Sequence, residues 1–308
     1  MKRLAIYGII PVFLLVVYLA VYGGHREPMP VLYTHPSQAD VKAGSGRSGK
    51  PKISVNARSA LVIDNSSGVW IYEKTPQQVQ PIASLTKLLT AMVYLDAKAK
   101  LDSVVHITNI DCFESSRSSL RRGEGYRAID LLYIALMASD NRAARALATA
   151  SGLTREVFVQ RMNEKARSLG MMYTEIFEAT GLDERNVSSA ADIALLVNAA
   201  VRYPLIKRIS STREYQVRPQ NRKRTKRFVN TNRFVQSQWD VLAGKTGYIL
   251  ESSYCLATVL RNGQGKELTV VVLGAPTNGS RFRAVRKLAD YGFKLAGRKK
   301  NGAQQISG

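Results

Sequence analysis

The sequence predicts an α+β fold whose main sheet is assembled from both ends of the domain. Three observations predict it: an early pair of strand-like runs, a long helical stretch through the middle, and three consecutive strand-like runs near the end, followed by an amphipathic closing segment.

The chain opens with Met1-Lys2-Arg3 and then an apolar run from Leu4 to Gly24, matching the ~20 apolar residues that a bilayer-spanning helix needs. Lys2 and Arg3 should stay cytoplasmic, which places everything after Gly24 outside. Residues 1–24 are therefore read as an N-terminal anchor or signal. An uncleaved anchor is favoured, because a signal peptide usually has a shorter apolar core and no A-x-A site follows, although Val21 and Gly23 offer small residues before a cut. Residues 25–53 form a tether in which Pro28, Pro30, Pro36 and Pro51 stand too close together for a helix. Within it, GSGRSGKP (Gly44 to Pro51) imitates a phosphate-cradling loop. Pro51 replaces the hydroxyl residue that would bind magnesium and no apolar strand precedes Gly44, so nucleotide binding is not expected there.

The domain proper is expected over residues 54–297. SALVIDNSSGVWIYEK reads as a hairpin turning at Asn65 to Gly68. Helical patterns run from Ser84 to about Tyr203 and include AIDLLYIALMA, DNRAARALATA, REVFVQRMNEKARSL and SSAADIALLVNAAV, the last with Ser189 and Asp192 at capping-box spacing. DVLAGKTGYI, SYCLATVL and ELTVVVLGA then read as strands, and RFRAVRKLADYGFKLAG closes the domain. Residues 298–308 are a basic, polar tail, and no internal repeat is visible.

Composition narrows the function classes. With 308 residues, 45% of them hydrophobic, the chain can bury a substantial core. Lys plus Arg outnumber Asp plus Glu by 45 to 23, a net charge of +22, so the surface should attract polyanions or an anionic membrane. A nucleic-acid partner is not expected on the outer side of a membrane. Two cysteines, Cys112 and Cys255, exclude a disulfide-dense scaffold; both are expected to be buried and not bridged. His25 and His35 lie in the tether, which leaves His106 as the domain's sole histidine and excludes a zinc site built from several of them. His106, in SVVHITN, reads as a strand residue. No metal or cofactor is implied.

The chemistry centres on PIASLTKLLTAM. If a helix begins near Ser84, residues three apart share a face, and the Lys87 amine can reach the Ser84 hydroxyl. Burial disfavours a charged lysine and leaves a neutral amine able to take the serine proton, while the helix start offers N–H groups to a developing oxyanion. Alone, S-x-x-K arises about once by chance in a chain of this length. Its company decides: Ser139-Asp140-Asn141 falls at the junction of two helices, and Lys245-Thr246-Gly247 on a late strand. That trio, in that order, is an established association in class A β-lactamases and penicillin-binding proteins. Ser139 can relay a proton to the leaving amine and Asn141 can hold a substrate amide. Lys245, staying cationic, can grip a carboxylate with Thr246, and Gly247 lets the substrate backbone lie against the strand.

The chain thereby resembles the D-alanyl-D-alanine carboxypeptidase and endopeptidase family of low-molecular-mass penicillin-binding proteins, over most of Lys52 to Gly297. FEATGLDERNVSSAADIALLV and NTNRFVQSQWDVLAGKTGYI carry the likeness beyond the three motifs, the latter toward the endopeptidase branch. The resemblance implies an antiparallel sheet flanked by helices beside an all-helical subdomain. It implies Ser84 as nucleophile, Lys87 as proton acceptor and Ser139 with Asn141 as the second motif. Lys245 to Gly247 become the substrate strand, and the N–H groups of Ser84 and Tyr248 the oxyanion hole. It implies peptidoglycan stem peptides as substrate, β-lactam antibiotics as covalent ligands and an extracytoplasmic location. The short segment after the closing helix also favours the endopeptidase type.

Three rivals are weighed. A β-lactamase needs a water-activating carboxylate, and neither Glu175 nor Glu178 aligns with that role; a transpeptidase would pass the acyl group to another amine; an inactive scaffold would bind wall polymer through its charge. The run Arg218, Arg222, Lys223, Arg224, Lys226, Arg227, with no acid among them, reads as a solvated hairpin in preference to an electrostatic handle.

Overall fold

The computed structural model describes residues 53–113 and 118–303. The apolar run 4–24, nearly all of the tether with His25, His35 and Gly44 to Pro51, and the last five residues lie outside these. Among the described residues, no helix is long and apolar enough to cross a membrane.

The expected hairpin is present as β1 (Ser59–Asp64) and β2 (Trp70–Lys74), and the three late runs are β9 (Asp240–Ile249), β10 (Ser253–Arg261) and β11 (Glu267–Ala275). They form one sheet in the order β2-β1-β11-β10-β9, every pair antiparallel. The first and last strands of the chain thus meet at its centre, Leu61 opposite Val271.

β1 and β11 are nearly continuous apolar runs because both faces of the sheet are covered. Side chains alternate along a strand, and the structure divides them accordingly. Leu61, Ile63, Val271 and Leu273 enter one core, while Ala60, Val62, Val270 and Val272 enter the other. The second core is closed by the last helix through Ala284, Val285, Leu288 and Ala289, with Phe234 and Trp239. The first is closed by the helical layer, whose middle is α1 (Lys87–Asp96), buried from Lys87 to Tyr94. Each fully buried aliphatic side chain contributes about 1.5–3 kcal/mol, so the two cores fix the strand register that carries the site.

Around α1 lie α2 (Asn109–Cys112), α3 (Ala128–Met137), α4 (Asn141–Ala150), α5 (Arg155–Ser168), α6 (Ala190–Val201) and α7 (Pro204–Ser211). Ser189 caps α6 as its spacing predicts, accepting from Asp192 N at 3.1 Å. The Asp192 carboxylate does not close the box; it accepts from Tyr173 N and the Thr174 hydroxyl.

Four expectations need amendment. The helical stretch is interrupted by short strand pairs, β3 (Gln80–Pro81) with β6 (Val187–Ser188) and β4 (Val104–His106) with β5 (Gly125–Arg127). The helix does not begin at Ser84, which lies in a 3₁₀ turn over Ala83–Thr86 ahead of α1. The closing helix, α8 (Asn278–Ala303), continues past residue 297. Cys255 is buried as expected, whereas Cys112 is half-buried; neither is in a disulfide. His106 is the strand residue expected, and the basic run lies on a hairpin of β7 (Glu214–Val217) and β8 (Lys226–Val229). Arg218, Arg222, Lys223 and Arg224 are exposed there, while Lys226 and Arg227 pair with Glu124 and Glu214.

Candidate active site

The geometry of Ser84 starts with its backbone. Ala83 adopts φ +48, a left-handed conformation that costs a non-glycine residue of order 1–3 kcal/mol and persists only where surroundings enforce it. Two glycines do so. A Cβ on Gly181, itself at φ +81, would stand 1.9 Å from the Ala83 carbonyl oxygen. One on Gly247 would stand 2.9 Å from the Ile82 oxygen and 3.3 Å from Ser84 N. The nucleophile segment is therefore wedged between β9 and the 178–182 loop. Gly247 makes room for that segment, where the sequence suggested room for substrate.

A 3₁₀ turn has three residues per turn, so positions i and i+3 eclipse. Lys87 thereby lies directly behind Ser84, with Nζ 2.7 Å from Ser84 Oγ, 2.6 Å from Asn141 Oδ1 and 2.6 Å from the Thr180 carbonyl oxygen. Nζ can donate to all three oxygens as an ammonium; once neutral, it keeps two N–H groups for the carbonyl-type oxygens and can turn its lone pair to the hydroxyl. Burial pushes the Lys87 pKa down to about 7, against the pull of Glu178 and Asp140 and with help from Arg145. Asn141 is presented at this point because Asp140 caps α4, accepting from Ala143 N at 3.1 Å.

Glu178 is buried and accepts N–H groups from Thr180, Gly181 and Leu182. Its carboxylate shapes the loop that supplies the Thr180 carbonyl to Lys87. That employment explains why it does not align with a water-activating role.

The second cluster is one step along β9. Ser139, at φ +62, places Oγ 2.8 Å from Lys245 Nζ, which also donates to the Thr246 carbonyl at 2.8 Å. Thr246 donates to the Thr231 hydroxyl at 2.7 Å, and Thr231 donates to the Met137 carbonyl at 3.0 Å. This chain ties the sheet to α3 just before Ser139. Burial pushes the Lys245 pKa well down, and the neighbouring Lys87 and Arg281 charges push the same way. Burial and these two neighbours thus disfavour the permanent cation expected from the sequence. Tyr248, at the exposed rim, stacks on Tyr254 with centroids 4.3 Å apart.

Two contributors were missed in the sequence. Thr231 carries no motif. Arg281, buried at the start of α8, donates to the carbonyls of Gly247 at 2.9 Å and Cys255 at 3.2 Å, pinning β9 from behind. A signal for it existed: Arg281 shares the apolar helical stripe with Ala284, Val285, Leu288 and Ala289, an unusual place for a guanidinium.

With nucleophile, amine and edge strand in this arrangement, the family signature of D-alanyl-D-alanine carboxypeptidases matches residues 46–277. The chain belongs to that family. This peptidase is 41% identical to a D-alanyl-D-alanine endopeptidase of Pseudomonas aeruginosa over 201 residues, which are 64% of this chain and 65% of the relative. It is 37% identical to an Escherichia coli D-alanyl-D-alanine endopeptidase over 83% of both chains. The Streptomyces K15 DD-transpeptidase superposes with a TM-score of 0.73 at 25% identity, covering 80% of this chain and all of that one. The peptidase accordingly has the α+β fold expected, and it is a serine hydrolase by family.

Proposed function

We propose that this peptidase cleaves D-alanine-containing peptide bonds of peptidoglycan stem peptides through an acyl-enzyme on Ser84, as endopeptidase, D-Ala-D-Ala carboxypeptidase or both. The observation that carries the reading is the buried Lys87 amine, 2.7 Å from Ser84 Oγ and also within hydrogen-bond reach of Asn141 Oδ1 and the Thr180 carbonyl. Neutral Lys87 takes the hydroxyl proton as Oγ attacks the D-alanyl carbonyl. The oxyanion meets the N–H groups of Ser84 and Tyr248, each such donor contributing ~10²–10³ in rate. As the tetrahedral intermediate collapses, the leaving amine receives a proton through Ser139. Water then attacks the ester and releases the acyl group.

Asn141 gives its carbonyl oxygen to Lys87 and keeps its NH₂ for a substrate amide. Lys245 and Thr246 receive the terminal carboxylate, whose charge restores the protonated form of Lys245 that burial disfavours. Penicillins enter the same site as acyl donors. Glu178 is held by backbone N–H groups, so this carboxylate is engaged in the loop and not free to drive rapid hydrolysis of the penicilloyl ester, which favours a peptidase over a β-lactamase. The likeness to a DD-transpeptidase supports a second outcome, transfer of the acyl group to an amine.

The apolar run 4–24 and the charges of Lys2 and Arg3 support an extracytoplasmic domain tethered to the membrane. Digestion of purified muropeptides by the soluble domain, with and without an added amine, tests the reading. Monomers from dimers report endopeptidase activity, free D-alanine carboxypeptidase activity and an amine adduct transfer; no product from any of these would overturn it.

A further inference from the structure

Two loops from distant parts of the chain interlock on the surface. One, residues 119–124, leads into β5; the other, residues 218–225, joins β7 to β8. Gln220 N donates to the Gly125 carbonyl at 2.8 Å. Asn221 accepts from Gly125 N at 3.0 Å and donates to the Gly123 carbonyl at 2.7 Å, and Lys226 Nζ donates to the Ser119 carbonyl at 2.7 Å. The pair is tied in turn to the second motif, because Arg142, next to Asn141, donates to the Leu120 carbonyl at 2.5 Å.

Together the loops expose six cations: Arg121, Arg122, Arg218, Arg222, Lys223 and Arg224. The acids around them are engaged elsewhere. Glu124 is buried against Lys226 and Tyr126, and Glu214 pairs with Arg227 and lies near Arg213. Asp130 pairs with Arg127, near which Asp102 also lies, and accepts from Tyr215. Asp111 is buried in the capping box of α2, and Asp140 caps α4. His106, exposed on β4, adds positive charge only when protonated. Among the described residues none of the six cations is in an ion pair; Glu114 and Arg117, of opposite charge, lie outside them. Six uncompensated cations on interlocked loops attract a polyanion. The sequence shows only the hairpin half of this face, since 96 positions separate Gly125 from Asn221.

The adjoining segment selects among polyanions. Ile107 N donates to the Glu124 carbonyl at 2.9 Å and its own carbonyl accepts from Gly123 N at 2.8 Å, which holds the start of α2 against the 119–124 loop. On this segment Ile110 and Phe113 are 71% and 66% exposed. A polar, charged polymer gives two bare apolar side chains nothing to enter, whereas the interface of an anionic bilayer accepts both apolar and basic groups. A bilayer is also within reach of the domain if residues 4–24 are the anchor. The connecting residues 25–53 span about 30 Å as a flexible coil and about 90 Å as extended polyproline, so docking becomes an intramolecular event at raised effective concentration.

We propose that the 119–124 and 218–224 loops form a docking face for anionic phospholipid headgroups, with Ile110 and Phe113 entering the interface beside them. The face is independent of the acyl-enzyme reading and takes only the tether from the proposed function. Docking would turn the wall of the cleft that carries Asn141 toward the bilayer, so the tether sets the distance and the face sets the orientation.

The test follows backbone hydrogen exchange by mass in the full chain on phosphatidylcholine vesicles with and without phosphatidylglycerol, at low and high salt. Exchange in residues 119–124 and 218–224 should slow about tenfold or more on the anionic vesicles alone, and high salt should abolish the difference. The triple variant Arg222→Gln, Lys223→Gln, Arg224→Gln should lose most of the protection. Ile110→Ser with Phe113→Ser should weaken it while leaving its salt dependence. Equal exchange on the two vesicle types, or protection unchanged in the triple variant, overturns the face. Protection by isolated peptidoglycan sacculi but not by anionic vesicles overturns the bilayer as partner in favour of a wall polymer, and protection unchanged in the apolar variant overturns the role given to Ile110 and Phe113. Flotation of the chain with neutral vesicles reports the anchor separately: if it fails, the tether reading falls, and the comparison of lipid charge at the two loops still decides the face.

Discussion

The Lys87 amine lies 2.7 Å from the Ser84 hydroxyl because the two residues eclipse in a 3₁₀ turn, ahead of the α-helix that Lys87 begins. That turn is held by Ala83 in a left-handed conformation against two glycines. The nucleophile and its base are thus positioned by tertiary contacts from β9 and the 178–182 loop, and the catalytic behaviour should follow the protonation of one buried amine.

Replacing that amine by a group that stays charged should remove the base. Lys87→Arg keeps a cation and a donor, yet the guanidinium remains protonated throughout the accessible pH range. General-base assistance is worth ~10²–10⁴ in rate, so penicillin acylation should fall by at least two orders of magnitude. Stopped-flow acylation of the folded variant checks it; parent-like rates would remove Lys87 from the mechanism.

The pH dependence has a definite sign. Lys87 must be neutral to accept a proton, and its pKa is lowered to about 7, so acylation should rise as pH increases through about 7 and level off above it. An ordinary lysine would instead keep the rate climbing through pH 9. A rate profile between pH 5 and 9 with an uncharged donor, which leaves Lys245 out of the comparison, distinguishes the two.

Lys245 should behave differently. It is buried with Nζ on Ser139 and the Thr246 carbonyl, and its charge is expected to be restored by the substrate carboxylate. Lys245→Arg should therefore retain some acylation where Lys245→Ala loses much more. Amidating the donor carboxylate should slow the parent but matter little in Lys245→Ala. An amide penalty of equal size in both would place the carboxylate elsewhere.

Glu178→Gln separates an architectural carboxylate from a catalytic one. Hydrogen bonds to a charged group contribute ~1.5–3 kcal/mol each, and Glu178 accepts three from consecutive residues. The variant should melt several degrees lower. Deacylation of its penicilloyl ester, measured while it is folded, should stay within a few-fold of the parent; a hundredfold loss of deacylation with unchanged melting would make Glu178 the water-activating group.

Much of this was legible because period and motif survive any context. Strand-like runs at both ends of the domain with helical patterns between them foretold one sheet built from both ends, and the order of Ser84-Lys87, Ser139-Asn141 and Lys245-Thr246-Gly247 pointed to the residues that the fold brings together. What escaped depended on distant partners. No local rule puts Ala83 at positive φ; Gly181 and Gly247 do, from a loop 98 positions away and a strand 164 positions away. Burial, Lys87 and Arg281 push the Lys245 pKa down, and none of them is visible in K-T-G itself. Arg281 could have been found from its apolar helical face, whereas Thr231 matters only because β9 passes beside it.

The most direct test of the central claim is where penicillin becomes attached. The soluble domain is labelled with a fluorescent penicillin, digested and analysed by mass, alongside a Ser84→Ala variant whose melting is compared with the parent. A serine hydroxyl at a helix start contributes only about 1 kcal/mol as a cap, and Ser84 forms no side-chain cap here, so the variant should stay folded. The account predicts one adduct, on the peptide containing Ser84, and none in Ser84→Ala. An adduct on any other residue, or labelling that persists in the folded variant, would contradict it.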